Sequence, residues 1–235
     1  MLVKKLPTTD EDRIDILRTI ADREELNMDE NAILTIVELH ELRNFLLVFE
    51  GAEFCYKQAI EDESKADKHH QELLERARLY ISHFIQVLHM MVIRGEIKAE
   101  NLPLYELDED DLTVPDLSSE EVVLDWGERL AKGETERTCR GGAATIYNPN
   151  IAKVKVHYDL FKDSLQSLKI YRQNTVRNTE GLLELRKKAD QQIWDIWTRV
   201  ESRYWDLSLG ERAQKYESYK ISHFYQRGAQ LNVFD

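Results

Sequence analysis

The sequence predicts an all-α protein: an antiparallel four-helix bundle made of two long helical hairpins joined by a long crossover. Three observations carry that expectation. Between Leu74 and Met91 the apolar residues Leu74, Ala77, Ile81, Phe84, Leu88 and Met91 recur in steps of three and four, which keeps one stripe facing a partner helix. The same spacing returns through Ile151, Val154, Tyr158, Phe161, Leu165 and Leu168, and again through Ala189, Ile193, Ile196 and Val200. Only nine glycines and four prolines punctuate 235 residues, too few for the many turns of an all-β chain.

Taken in order, residues 1–27 form a short amphipathic segment, with Thr8 and Glu11 as a capping box ahead of Ile14, Leu17 and Ile20. Residues 28–95 form the first hairpin. Asn27 and Glu30 supply the cap signature, and Ile36, Leu39, Leu42, Phe45, Leu46, Phe49, Ala52, Tyr56 and Ile60 supply a wide apolar face. The polar run Glu61–Lys68 is its turn, the Leu74–Met91 stripe its second arm, and Gly95 its stop. Residues 96–147 are the crossover. Eight of the sixteen residues from Glu106 to Glu121 are acidic, Ser118 with Glu121 caps a brief helix from Glu120 to about Lys132, and an irregular Gly-rich loop follows. Residues 148–210 form the second hairpin, started by Asn148-Pro149, bent near Gly181 and ended by Gly210, and residues 211–235 hold a further short helix and a tail. The whole is expected to be one helical-bundle domain.

The two hairpins leave in matching ways. Gly95-Glu96 precedes Tyr105-Glu-Leu107, and Gly210-Glu211 precedes Tyr219-Lys-Ile221. Similar hairpin lengths and matching exits, with Gly-to-Tyr gaps of ten and nine residues, suggest an internal duplication. The tetrapeptide Ile-Ser-His-Phe also occurs twice, at 81–84 and 221–224, but at a spacing that disagrees with the other markers.

The chain carries 44 acidic against 32 basic residues, a net charge of −12, and nucleic-acid binding, which needs clustered Lys and Arg, is not expected. The charge is uneven: residues 149–235 hold 15 Lys and Arg against 11 Asp and Glu, and residues 1–148 hold 17 against 33. The longest unbroken apolar run, Phe45–Phe49, is far short of a membrane span. No signal-peptide core precedes the first helix, and Cys55 and Cys139 make no framework. A soluble, cytoplasmic acidic protein is expected.

Motifs for chemistry are sparse. A di-metal bundle needs Glu-x-x-His on two helices, and the nearest match, Asp67-x-x-His70, stands in a polar run. No metal and no cofactor are expected, although His40 and His89 could meet if they lie on neighbouring helices. No Gly-x-Ser-x-Gly or Gly-Lys-Ser/Thr occurs, and no catalytic residue is assigned.

Two places are singled out. In the loop at 133–150, Arg137, Arg140, Gly141 and Gly142 combine guanidinium groups with a Gly turn ahead of a helix start, a setting for a small anion. Cys139 sits between the two arginines. Trp194, Trp197 and Trp205 widen the apolar surface of the last long helix; left uncovered, they would be a partner-binding face. The expected function is non-enzymatic, through surface contacts with a protein partner or in a homo-oligomer. The alternative is a small-molecule or anion-binding protein, possibly an enzyme, using the 133–150 loop.

Overall fold

The computed structural model describes residues 2–26, 32–141 and 145–225. The chain is helical apart from one short strand pair: β1 (Leu2–Lys4), α1 (Asp10–Leu26), α2 (Ile36–Ile93), a 3-10 helix (Ala99–Tyr105), α3 (Glu120–Cys139), α4 (Ile151–Arg203), α5 (Leu209–Ser218) and β2 (His223–Tyr225). β1 and β2 pair antiparallel, Val3 opposite Phe224. Among the described residues no helix is long and apolar enough to cross a membrane.

The all-helical expectation holds, but the hairpins do not. Each is one uninterrupted helix, of 58 residues for α2 and 53 for α4. The run 61–68 is polar, as a turn would be, yet it contains neither Gly nor Pro, and Lys65 pairs with Glu61 one turn back at 2.7 Å. Glu, Lys and Ala are strong helix formers, so polarity alone does not break the helix. Gly181 likewise lies inside α4, where a single glycine costs only about 1 kcal/mol. His40 and His89 therefore stand on the same helix, not on neighbours that meet.

Several caps shift by a residue or more. Thr9, not Thr8, accepts from Asp12 N–H at 3.1 Å. α2 opens on a reciprocal box in which Thr35 Oγ1 accepts from Glu38 N–H and Glu38 accepts from Thr35 N–H; the Asn27–Glu30 signature lies outside the described residues. Ser119, not Ser118, caps α3, which runs past the expected end to Cys139. α4 starts two residues beyond Pro149 with Asn150 as its cap, at 2.9 Å from Lys153 N–H, because Asn148 has a φ of 49°. Gly95 stops α2 as expected, in the left-handed region at φ 72°. Gly210 does not end α4; it lies in α5, which Ser208 and Glu211 cap reciprocally.

The described chain divides into two compact units, the first of residues 1–59 and 175–235, the second of residues 60–174. Each unit has its own core, fed by both long helices. In the first, Leu39, Leu42, Leu46 and Phe49 of α2 meet Ile193, Trp197 and Val200 of α4, with Leu17 and Ile20 of α1 and Tyr219. In the second, Ile81, Phe84, Ile85 and Leu88 of α2 meet Val154 and Phe161 of α4, with Val123 and Leu130 of α3, Leu102 and Tyr105. Within each unit the long segments run antiparallel: Glu38 pairs with Arg199 while Ala59 O accepts from Thr175, and Asp67 pairs with Arg172 while Tyr80 stacks on His157.

The exits at Tyr105 and Tyr219 share one geometry. Both tyrosines are fully buried. The next residue, Glu106 or Lys220, is left-handed at φ 59° or 53°. The residue after that, Leu107 or Ile221, is buried and donates its N–H five residues back, to Leu102 O at 3.2 Å or Tyr216 O at 2.9 Å. Each phenol donates to a buried glutamate, Tyr105 to Glu134 of α3 and Tyr219 to Glu24 of α1.

Candidate functional site

The arginine loop resolves into separate partnerships. Arg137 ends up on the buried side of α3, 2% exposed, donating to both oxygens of Glu134 at 2.9 and 2.8 Å and to the Tyr105 hydroxyl at 3.0 Å. Glu134 holds its guanidinium further toward the charged form. Arg140 is exposed and pairs with Glu136 at 2.5 Å. Gly141 is left-handed at φ 88°, and Gly142 lies outside the described residues. The structure thus does not bring Arg137 and Arg140 to one point. The i, i+3 relation of Arg137 to Glu134 was readable on a longer α3; ending the helix at Lys132 hid it.

The tryptophans also separate. Trp197 is buried and donates from Nε1 to Tyr219 O at 2.9 Å. Trp194 is 39% exposed, with Lys4 Nζ 4.2 Å above its ring, and Trp205 is 65% exposed with Arg212 5.0 Å from its ring.

Two polar clusters bear on chemistry. Ser164 Oγ is 2.9 Å from Nδ1 of buried His70, whose Nε2 faces Glu120 at 3.3 Å, beside an open groove of about 490 Å³. Ser164 sits mid-helix, its hydroxyl also 2.7 Å from Phe161 O. The surrounding N–H groups are spent in the helix, so no donor pair awaits an oxyanion. His89 is buried in the second core and its pKa is lowered by that burial, which suits a packed neutral ring. Among the described residues no three His, Cys, Asp or Glu converge as for a metal ion.

The outer face of α2 in the first unit departs from expectation: Ile36, assigned by spacing to the packed face, lies on the outside at 73% exposed. Ile36, Val37, Leu47, Val48 and Phe54 are 59–73% exposed. At about 100° per residue they share an arc of roughly 120° with Gly51, Cys55, His40, Asn44 and Gln58, all exposed as well. No Asp, Glu, Lys or Arg falls in that arc. The charged residues of the segment lie on its flanks: Glu38 pairs with Arg199, Arg43 with Glu25, Glu50 with Arg18, and Lys57 with Glu11 and Glu53, while Glu41 stands exposed just beyond the edge of the arc. The signal was present in the sequence, since plotting only the charges on a helical wheel exposes the empty arc.

The second unit provides an internal control. Aligning Leu39 with Val154 and Leu46 with Phe161, all four buried, shifts the sequence by 115 residues. The outward positions His40, Asn44, Leu47, Val48 and Phe54 then match Lys155, Asp159, Lys162, Asp163 and Lys169, all exposed. The remaining arc positions match Ile151, Ala152, Gln166, Ile170 and Gln173, so the same face of α4 carries five charged residues where that of α2 carries none. Comparison with protein-family models, curated proteins and solved structures finds no match to this chain.

Proposed function

We propose that this protein is a non-enzymatic helical interaction protein, built as two copies of one small helical bundle, that works through the uncharged face of α2. The observation that carries the reading is the contrast between that face, which bears no charge, and its counterpart on α4, which bears five exposed charged residues. A solvated helix surface in a chain that is 32% charged ordinarily carries charge. Five large apolar residues left together in water, exposing on the order of 600 Å², exceed a scattered surface and fit a contact site.

The duplication rests on the matched exits, on the two phenol–glutamate pairs and on the buried register of α2 against α4. Each copy contributes a short capped helix, a long helix and a buried tyrosine. We place the protein in the cytoplasm, since Cys55 and Cys139 are both free and exposed, as a reducing compartment keeps them.

Photo-crosslinking in the producing cells tests the contact face, with a benzophenone side chain at position 47 or, as control, at position 162. The expected result is a defined adduct from position 47 that disappears when Phe54→Glu is added, and none from position 162. No adduct from position 47 would sink the reading.

A further inference from the structure

The uncharged face of α2 is also self-complementary. Turning the helix end over end about the midpoint of Leu47 and Val48 sets Leu47 against Val48, Asn44 against Gly51, His40 against Cys55 and Val37 against Gln58. Phe54 and Ile36, at the ends of the face, come against Glu41 and Ala59 just outside the arc; the other pairs stay inside it, and none brings charge against charge. The bulk of Asn44 meets the residue that has no side chain, and a Cβ added at Gly51 would find nothing within 4 Å.

We infer that the occupant of this face is a second copy of the chain, laid antiparallel across it about a two-fold axis at Leu47 and Val48. This rests on the reading of α2 as the contact face and names its partner. A two-fold interface presents the same patch from both sides, so it must complement itself. Two copies carrying −12 each repel through most of their surfaces, and they meet without that cost only where neither carries charge. The area is sufficient: the five apolar residues offer on the order of 600 Å² per copy, and the other five bring the patch near the roughly 800 Å² per partner of a standard interface.

Light scattering with mass determination on the full chain at about 50 μM is expected to give twice 27.7 kDa. A Leu47→Glu/Phe54→Glu variant is expected to give a monomer with unchanged circular dichroism, because both positions are exposed, and Lys162→Glu to remain dimeric. A dimer that survives Leu47→Glu/Phe54→Glu overturns the inference. A monomeric wild type that still crosslinks to another protein from position 47 overturns the second copy and leaves the contact face standing; a monomer without any crosslink removes both.

The register is tested in a Cys55→Ser/Cys139→Ser background. Val48→Cys is expected to oxidise to a disulfide-linked dimer, since its twin lies beside it across the axis. Val37→Cys is expected not to, since its twin would be 21 residues along the helix, about 31 Å away and beyond disulfide reach. Equal crosslinking of the two variants would overturn the antiparallel arrangement.

Discussion

Glu24 in the first unit and Glu134 in the second do the same job with different partners. Each is buried and takes a proton donor from a buried tyrosine. Glu24 fills its remaining capacity with the backbone N–H groups of Ile33 and Leu34, at 2.7 and 2.8 Å. Glu134 fills it with Arg137. A buried carboxylate needs donors, and either neutral dipoles or one cation can provide them. The choice matters when it fails: losing Glu24 orphans neutral groups, whereas losing Glu134 leaves a guanidinium charge in the core.

That difference gives the largest expected effect. Glu134→Ala should destabilise the protein by about 3–5 kcal/mol in urea denaturation, and Glu134→Leu with Arg137→Met should recover most of the loss because no unpaired charge remains. Glu24→Ala should cost less, about 1–3 kcal/mol. Equal costs for the two alanine variants would break the distinction between the units.

Glycines sharpen it next. Gly133 faces the Tyr105 turn, and a Cβ there would stand 2.6 Å from Leu104 O; Gly133→Ala should cost about 1–3 kcal/mol by overpacking. Gly181 in the first unit opens on empty space, so Gly181→Ala should stabilise the helix by about 0.5–1 kcal/mol. Thermal unfolding of both variants reads the opposite signs.

Both phenols are pushed above the usual tyrosine range, chiefly by burial and then by the hydrogen bond to the neighbouring glutamate. A raised folded pKa contributes stability that is complete below the unfolded value, near 10, and is lost as pH rises above it. Stability should therefore fall on the alkaline side, and Tyr105→Phe with Tyr219→Phe should flatten that limb in denaturation measured from pH 8 to 11.

The smallest effect concerns the helix starts. At α2 the Thr35 backbone N–H, followed by Arg199, lowers the Glu38 pKa to about 2. Its contribution is present above the unfolded value near 4.3 and fades as pH falls toward 2. α4 starts on Asn150, which has no proton to gain. Hydrogen exchange of the first turns should show α2 loosening between pH 4 and 2 relative to α4; a parallel change in both would contradict the assignment.

The internal stripes, the stop at Gly95, the all-helical class and the doubled Tyr-x-aliphatic exit were legible in the residues, because each depends on spacing within one segment. Three further features needed the tertiary structure: that Glu61–Lys68 continues a helix, that Arg137 turns inward to Glu134, and that Trp197 rather than Trp194 enters the core. All three depend on which neighbour reaches a side chain. Helical period orders residues around one axis, while burial is decided by what packs across it, and only a folded core selects which charges are paired inside and which face is left bare.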